Sequence, residues 1–228
     1  MSTIADNIVQ VSSRIRAAAE SAGRVENSVQ LLAVSKTKPG EALREAYAAG
    51  LRDFGENYLQ EALGKQLELA DLPLIWHFIG PIQSNKTRAI AEHFAWVHSV
   101  DRLKIAQRLS EQRPADMPPL NICIQVNVSG EASKSGCTPA DLPALAQAIS
   151  ALPRIKLRGL MAIPEPTEDR AEQDAAFATV QQLQASLNLP LDTLSMGMSH
   201  DLESAIAQGA TWVRIGTALF GARDYSQS

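Results

Sequence analysis

The sequence lacks several features that would assign it to a specialised class of protein. It has only two cysteines among 228 residues, Cys123 and Cys137, which are too few for a disulfide framework. No cysteine and histidine residues have the spacing of metal ligands. No apolar run approaches a membrane span, and the N-terminus has neither the basic start nor the apolar stretch of a signal peptide. We therefore expect a cytoplasmic, reduced protein without a metal ion.

An excess of basic charge is also missing. The chain has 21 Lys and Arg residues against 25 Asp and Glu residues, and its formal net charge is -4. A nucleic-acid-binding protein usually needs a basic face, which this balance does not indicate. Hydrophobic residues make up 45% and charged residues 20%, as in ordinary globular proteins. We expect a globular protein that binds neither nucleic acid nor a membrane.

Short apolar segments alternate with amphipathic ones along most of the chain. The clearest strand is predicted over 121–128, where Ile122 and Ile124 point one way and Cys123 and Gln125 the other. An amphipathic helix comes before the first strand and can end at Gly23. The predicted strands are 29–36, a short one around 54, 74–79, 96–100, 121–128, 156–163, 193–198 and 212–215.

The strand count favours a closed barrel. About eight strands, each followed by a helix or helical turn, fit a (β/α)₈ TIM barrel of roughly this length. A doubly wound open sheet is the alternative, but Thr37-Lys38-Pro39-Gly40 after the first strand is not a glycine-rich dinucleotide fingerprint. We therefore expect an α/β protein with a single domain over residues 1–228. The extra N-terminal helix should pack outside the barrel or over its lower end.

Sequence patterns also predict how several helices begin and which faces they bury. Ser84 and Asp101 are candidate N-caps, and Thr138-Pro139 has the order of a helix start. A helix is predicted after the second strand, through Leu59, Leu63 and Leu67. Phe177, Val180, Leu183 and Leu187 predict the buried face of a long helix over 167–187.

Lys36 lies where the first strand ends. In a (β/α)₈ barrel the carboxyl ends of the strands form the face on which chemistry occurs. A lysine amine held there can attack a carbonyl group and form a Schiff base. The alternative is a solvated surface lysine, which is the commoner case.

The loops after the last two strands suggest an anion site. In this fold these loops are the usual phosphate site, and here they contain Ser199 and Gly216-Thr217. Glycine lets the backbone approach a phosphate closely, and the hydroxyls supply donors beside free N–H groups. The alternative is that Ser199 and Thr217 are only helix caps.

Arg214 lies within the last strand between Val213 and Ile215, so it faces the barrel interior if those two face the helices. Its alternative role is a salt bridge inside the barrel. An amine, a phosphate cradle and an inward arginine together suggest pyridoxal 5′-phosphate (PLP) as the ligand. A protonated arginine would donate to the ring nitrogen and disfavour a pyridinium, which would restrain carbanion chemistry.

Six ordered motifs resemble the YggS/PROSC family, the pyridoxal phosphate homeostasis proteins, over nearly the whole chain. The motifs are Ala33-Val34-Ser35-Lys36-Thr37-Lys38, Phe54-Gly55-Glu56-Asn57-Tyr58, His77-Phe78-Ile79-Gly80-Pro81-Ile82-Gln83-Ser84-Asn85-Lys86, Gly159-Leu160-Met161, Ser195-Met196-Gly197-Met198-Ser199, and Arg214-Ile215-Gly216-Thr217 with Phe220-Gly221-Ala222-Arg223.

The resemblance implies a barrel of the alanine-racemase type, PLP fold type III. It implies that Lys36 is the Schiff-base lysine and that Arg214 meets the ring nitrogen. It also implies two sets of cofactor-binding residues: Ser199, Gly216 and Thr217 at the phosphate, and Asn57, His77 and Met161 lining the pocket. His200 departs from the pattern, since an acidic or amide residue is expected there.

The resemblance also implies binding and supply of the cofactor without an established enzymatic reaction. Racemisation on this fold needs a second base, which alanine racemase takes from a tyrosine of its partner subunit's extra domain. The sequence stops soon after the last predicted strand, so we expect no such domain. Tyr58 and Tyr225 are the only tyrosines near the rim segments, and packing is their alternative role.

We therefore expect a monomer that holds PLP as a Schiff base on Lys36 and takes part in intracellular PLP homeostasis and supply to apo-enzymes. One alternative is a small PLP-dependent amino-acid racemase or lyase, and another is a barrel that binds a different sugar- or nucleotide-phosphate. Lys86 and Lys134, on neighbouring rim loops, are candidate second acceptors of the cofactor or simply solvated lysines.

Overall fold

The computed structural model of the chain describes residues 1–132 and 134–222. Eight parallel strands form a closed barrel in which each strand pairs with the next along the chain and the last pairs with the first. This confirms the predicted (β/α)₈ barrel. The strands are β1 Gln30–Val34, β2 Asp53–Glu56, β3 Ile75–Phe78, β4 Trp96–Val100, β5 Leu120–Gln125, β6 Ile155–Met161, β7 Thr193–Ser195 and β8 Trp212–Ile215.

Helices follow the strands and cover the barrel. They are α1 Ile4–Ser21, α2 Gly40–Ala48, α3 Leu59–Glu68, α4 Thr87–His93, α5 Leu103–Gln112, α6 Leu142–Ser150, α7 Arg170–Ser186, α8 Leu202–Ala207 and α9 Thr217–Phe220, with a 3₁₀ turn at Ser84–Lys86. Within residues 1–132 and 134–222, no helix has the length and apolar character needed to cross a membrane.

The N-terminal helix α1 packs outside the barrel, against α8 and α9. Its apolar face buries Ile8, Val11 and Ile15, which recur at three- and four-residue steps. Arg14 on the same helix forms a bidentate ion pair with Glu203 of α8 (2.8 and 3.0 Å). The prediction that this helix lies outside the barrel is confirmed.

The structure corrects three predicted helix starts. Ser84 lies in the 3₁₀ turn, where its carbonyl accepts from Thr87 Oγ1 (2.9 Å). Asp101 does not cap α5, because its Oδ2 accepts from the Gly136 backbone N–H (3.4 Å). Thr138 accepts from the Asp141 N–H in a turn (3.1 Å), and α6 begins only at Leu142. In each case the loop geometry, which a local sequence pattern does not specify, decides where the polar side chain bonds.

Helix α3 forms where it was predicted, and two of its three leucines, Leu59 and Leu63, face the core. Leu67 is 82% exposed, whereas Leu59, Ala62 and Lys65 are buried. The amine of Lys65 reaches buried acceptors at the carboxyl ends of β1 and β2. On α7 the prediction was right, because Phe177 and Val180 are buried and Leu183 and Leu187 pack against the core.

Candidate functional site

A cavity of about 230 Å³ opens at the carboxyl ends of the strands. Six of the eight predicted site residues meet there, although they come from four different strand ends. The lining residues are Val34, Lys36, Lys38, Asn57, Ile79, Ile163, Met198, Ser199, His200, Arg214, Gly216, Thr217 and Gly221. The cavity thus combines an amine, an amide, hydroxyls, a glycine-containing turn and a guanidinium.

The loop that carries Lys36 is fixed on both sides of this residue. The carbonyl of Ser35 accepts from Lys65 Nζ (2.7 Å), and the backbone N–H of Thr37 donates to Glu61 Oε1 (2.5 Å). Thr37 has a φ of 64°, which residues other than glycine seldom adopt. The hydrogen bonds hold the chain in this conformation, and so they define where Lys36 leaves the strand.

A buried ion pair lies behind this loop. Glu56 is fully buried at the end of β2, and its Oε1 accepts from Lys65 Nζ (2.7 Å) and from Ser35 Oγ (2.8 Å). Burial raises the pKa of Glu56, and the nearby Lys65 and Ser35 oppose that rise. Lys65 Nζ also donates to Glu61 Oε1 (2.6 Å). Lys65 therefore supports the Lys36 loop from below, a role that the sequence analysis missed.

Asn57 follows β2 and lines the cavity beside Lys36. Its buried Oδ1 has no hydrogen-bond partner among residues 1–132 and 134–222. A buried acceptor of this kind is costly unless something donates to it, so its position favours a ligand with a donor group. Gly80 permits this arrangement, because a Cβ atom there would overlap the carbonyl oxygen of Asn57.

Two glycines shape the predicted phosphate loops. Gly197, after β7, has a φ of 101°, and a Cβ on it would lie 2.6 Å from the Cβ of Ala205. Gly216 precedes α9, and a Cβ there would lie 3.3 Å from the carbonyl oxygen of Val34. Ser199 and Thr217 line the cavity on these loops. Backbone N–H groups, hydroxyls and little steric bulk make this corner suitable for an anion.

The residue that departs from the expected pattern, His200, lies at the edge of the phosphate loop. It is exposed, lines the cavity, and has its Nε2 3.4 Å from Asp201 Oδ2. Asp201 itself is buried and accepts from the backbone N–H of Met198 through Oδ1 (2.7 Å). Asp201 therefore holds the loop, while His200 points its ring toward the cavity opening.

Arg214 forms part of the cavity wall from within the barrel. It is 4% exposed; its NH1 donates to Ser195 Oγ (2.8 Å) and its NH2 to the carbonyl of Ala162 (3.0 Å). The alternative of a salt bridge is not seen, since no carboxylate among the described residues pairs with it. Burial lowers the pKa of Arg214 to about 10, so the guanidinium stays charged at neutral pH. Two of its five N–H groups are used, which leaves donors for a ligand.

His77 and Met161 lie deeper in the barrel and do not line the cavity. His77 is fully buried, and its ring stacks on Trp96 with centroids 5.6 Å apart. Met161 is also fully buried and packs with Trp96 and Cys123. Both side chains face the barrel interior, but beneath the level of the ligand space. The expectation that they line the pocket is not met by this geometry.

Lys38 is a cavity residue that the sequence analysis did not select. Its Nζ donates to the carbonyls of Phe220 (3.3 Å), Gly221 (3.3 Å) and Ala222 (3.0 Å). These bonds fasten the end of α9 to the loop that carries Lys36. The sequence signal that could have identified Lys38 was its position two residues after Lys36, since both side chains line the same cavity.

The other candidate rim residues lie away from the cavity wall. Tyr58 is 52% exposed at the start of α3. Lys86 ends the 3₁₀ turn, and Lys134 Nζ lies 3.7 Å from Glu131 Oε2. Tyr225 and Arg223 lie outside the described residues.

Comparison with known proteins gives a consistent result. Residues 7–224 match the family described as alanine racemase, N-terminal domain. A pyridoxal phosphate homeostasis protein of Pseudomonas aeruginosa is 78% identical over 225 residues, covering 99% of this chain and 98% of that protein. The structure of PipY from Synechococcus elongatus PCC7942 with PLP bound is 44% identical and has a TM-score of 0.85. The match covers 96% of this chain and all of PipY.

A more distant likeness concerns the fold alone. An alanine racemase of Corynebacterium glutamicum is 19% identical with a TM-score of 0.69, over 99% of this chain and 62% of that enzyme. By contrast, the high identity to the homeostasis protein extends over nearly the full length of both chains. The chain therefore belongs to the family of the pyridoxal phosphate homeostasis proteins, which have the fold of the alanine racemase N-terminal domain.

Proposed function

We propose that this protein binds PLP in the cavity at the barrel rim, holds it as a Schiff base on Lys36, and supplies it to apo-enzymes inside the cell. One observation carries the proposal: Lys36, the Ser199 and Gly216-Thr217 loops, and Arg214 converge on one space of about 230 Å³. These groups match the aldehyde, the phosphate and the ring nitrogen of the cofactor. PipY, which is 44% identical, has a structure with PLP bound.

The residues present fit this cofactor group by group. The N–H groups at the start of α9 and the hydroxyls of Ser199 and Thr217 would hold the phosphate. The buried Oδ1 of Asn57 would accept a hydrogen bond from the ligand. His77 and Met161 would act from below, through the residues above them, without touching the cofactor.

Arg214 favours a carrier over a catalyst. PLP supplies an electron sink to enzymes when its ring nitrogen is protonated. A guanidinium that is charged at neutral pH would donate to that nitrogen and leave it unprotonated, which would weaken the sink. Arg214 would thereby restrain carbanion chemistry, which agrees with a carrier.

The groups that could serve as a second base also favour the carrier. The amine of Lys38 is engaged by three backbone carbonyls, and His200 lies beside Asp201 on the phosphate loop. Tyr58 is exposed outside the cavity wall. The remaining alternative is a racemase or lyase, which predicts deuterium incorporation at the α-carbon of an amino acid in D₂O. Robust turnover of one substrate would overturn the carrier proposal.

Titration of the cofactor-free protein with PLP, followed by visible absorption, tests the binding proposal. Wild type and the control Lys86→Ala should gain the absorption band of an imine as PLP is added, whereas Lys36→Ala should not. Because Lys38 lines the same cavity, the double variant Lys36→Ala/Lys38→Ala identifies any residual imine on that amine. An unchanged band in Lys36→Ala would exclude Lys36 as the principal anchor. A wild-type protein without the band would favour a different phosphate ligand.

Transfer to an apo-enzyme tests the supply role. Loaded protein is mixed with an apo-enzyme, and recovery of that enzyme's activity is followed with and without a scavenger of free PLP. Direct hand-over predicts recovery in both conditions, while release into solution predicts recovery only without the scavenger. No recovery in either condition would contradict a supply role. We further propose that the protein acts as a monomer in the cytoplasm.

A further inference from the structure

A line of hydrogen-bonded side chains crosses the barrel interior beneath the cavity. Asp53 Oδ1 lies 2.8 Å from His77 Nε2, and His77 Nδ1 lies 2.9 Å from His98 Nε2. His98 Nδ1 lies 2.7 Å from Ser195 Oγ, which lies 2.8 Å from Arg214 NH1. The five residues come from the five strands β2, β3, β4, β7 and β8. Together they connect the far end of the barrel to the cavity wall.

The hydrogen-bond inventory gives this line a single direction. Arg214 can only donate, so Ser195 Oγ accepts from it. Ionised Asp53 can only accept, so His77 carries its proton on Nε2. A neutral His77 then accepts at Nδ1, which requires the proton of His98 to be on Nε2. His98 Nδ1 in turn accepts from the Ser195 hydroxyl. Along the line each residue donates one hydrogen bond to the next, from Arg214 through Ser195, His98 and His77 to Asp53, which only accepts.

The surroundings keep both imidazoles neutral. Burial lowers the pKa of His77, against the opposing effect of Asp53. Burial, His77 and Arg214 lower the pKa of His98 well below its usual value. The rings that contact His77 and His98 are Trp96, which touches both, and Trp212. The charged partners in contact with the line are therefore its two ends, a carboxylate and a guanidinium.

We propose that Asp53, His77, His98 and Ser195 are positioning residues that fix the tautomers of the line and thereby aim the guanidinium of Arg214 at a heterocyclic nitrogen in the cavity. This rests on the proposed PLP site. Ser195 is held as an acceptor toward Arg214 because its own proton is committed to His98. The line ends at Asp53, whose side chain is 23% exposed at the amino end of β2, on the opposite face of the barrel. A change at that face is thus transmitted to the cavity.

The first experiment uses the cofactor-free protein. ¹⁵N NMR of its four histidines reports the tautomer of each ring, and His93→Gln identifies one signal outside the line. The proposal predicts that His77 and His98 are both neutral with the proton on Nε2. Asp53→Ala removes the final acceptor and should give a mixture of tautomers, while Asp53→Asn retains an acceptor oxygen and should preserve much of the order. A wild-type protein with another tautomer at either ring would overturn the proposal.

The second experiment uses the loaded protein. Ser195→Ala should weaken PLP binding about three- to tenfold, which is the size of one ordinary hydrogen bond, because Arg214 loses one of the partners that fix it. It should also shift the visible absorption of the bound cofactor, because the group facing the ring nitrogen is less well fixed. Ser195→Thr keeps the hydroxyl and should restore both properties. Asp53→Ala should also weaken PLP binding and shift the absorption, but by less than Ser195→Ala does.

A core variant separates positioning from general destabilisation. Val180→Ala on α7 removes buried methyl groups in the outer layer and should lower the melting temperature without altering the tautomers, the absorption or the PLP affinity. If folded Ser195→Ala and Asp53→Ala bind PLP like wild type with unchanged absorption, the line has no positioning role. If the wild-type protein takes up no PLP, the proposed function fails and this role fails with it, while the NMR result still reports the tautomers.

Discussion

The two buried layers of the barrel differ in their chemistry. Between the strands and the helices most side chains are apolar, as at Leu43, Ile105 and Phe177, and the Glu56–Lys65 pair is an exception. Inside the barrel, beneath the cavity, aromatic and polar side chains such as Trp96, His98 and Arg214 lie beside Met161 and Cys123. Apolar packing is non-directional and tolerates exchange, whereas buried polar groups need particular partners. The apolar outer layer therefore accounts for most of the stability, and the inner layer, together with the Glu56–Lys65 pair, fixes the geometry of the site.

The largest expected effect on stability comes from the outer layer. Phe177→Ala removes a fully buried ring on α7 and should cost about 3–5 kcal/mol in the free energy of unfolding. Chemical denaturation measures this loss. PLP affinity of the folded variant should stay at the wild-type value, because the ring lies outside the barrel wall. A parallel loss of PLP affinity would contradict the separation of roles between the outer and inner layers.

The buried ion pair behind Lys36 should give the next largest effect. Lys65→Met leaves Glu56 buried without its cationic partner and should cost about 3 kcal/mol at neutral pH. The pKa of Glu56, already raised by burial, should rise further, so the folded state binds a proton more readily than the unfolded one. Part of the lost stability should therefore return as the pH falls from 7 toward 5. Denaturation at both pH values tests this, and a deficit that grows on acidification would contradict it.

Arg214→Lys should affect the cofactor more than the fold. Lysine keeps the charge but loses the planar arrangement of donors that reaches both Ser195 and Ala162. We expect PLP affinity to fall about tenfold, which is about 1.4 kcal/mol. Titration by visible absorption measures the change. Affinity equal to that of wild type would show that charge alone is sufficient at this position.

The smallest expected effect is at the phosphate loop. In Gly216→Ala the new Cβ would lie 3.3 Å from the carbonyl oxygen of Val34, which requires a slight shift of the loop. We expect a loss of about 1 kcal/mol in binding, or about fivefold in affinity, at the low end for overpacking. Inorganic phosphate should compete correspondingly less well with PLP. Equal affinities of the variant and wild type would mean that the backbone approaches the ligand elsewhere.

The barrel could be predicted from the sequence because its signals are local and repeated. Apolar runs such as 96–100 and 212–215 match the observed strands. Six cavity residues were predictable because the ends of parallel strands meet at one rim. The family resemblance predicted that His77 lies in the pocket, but neither the resemblance nor the strand pattern gives the depth of a residue along the barrel axis. Lys65 was missed because its partners Glu56 and Ser35 are brought together only by the closed fold.

The location of the covalent adduct tests the central claim most directly. PLP-loaded protein is reduced with borohydride, digested, and its peptides are identified by mass spectrometry. Our account predicts one principal adduct, on Lys36, and its loss in Lys36→Ala. The control Lys86→Ala should retain the adduct on Lys36, since Lys86 lies outside the cavity wall. Adducts spread over Lys86, Lys134 and other surface lysines, without enrichment at Lys36, would contradict the account.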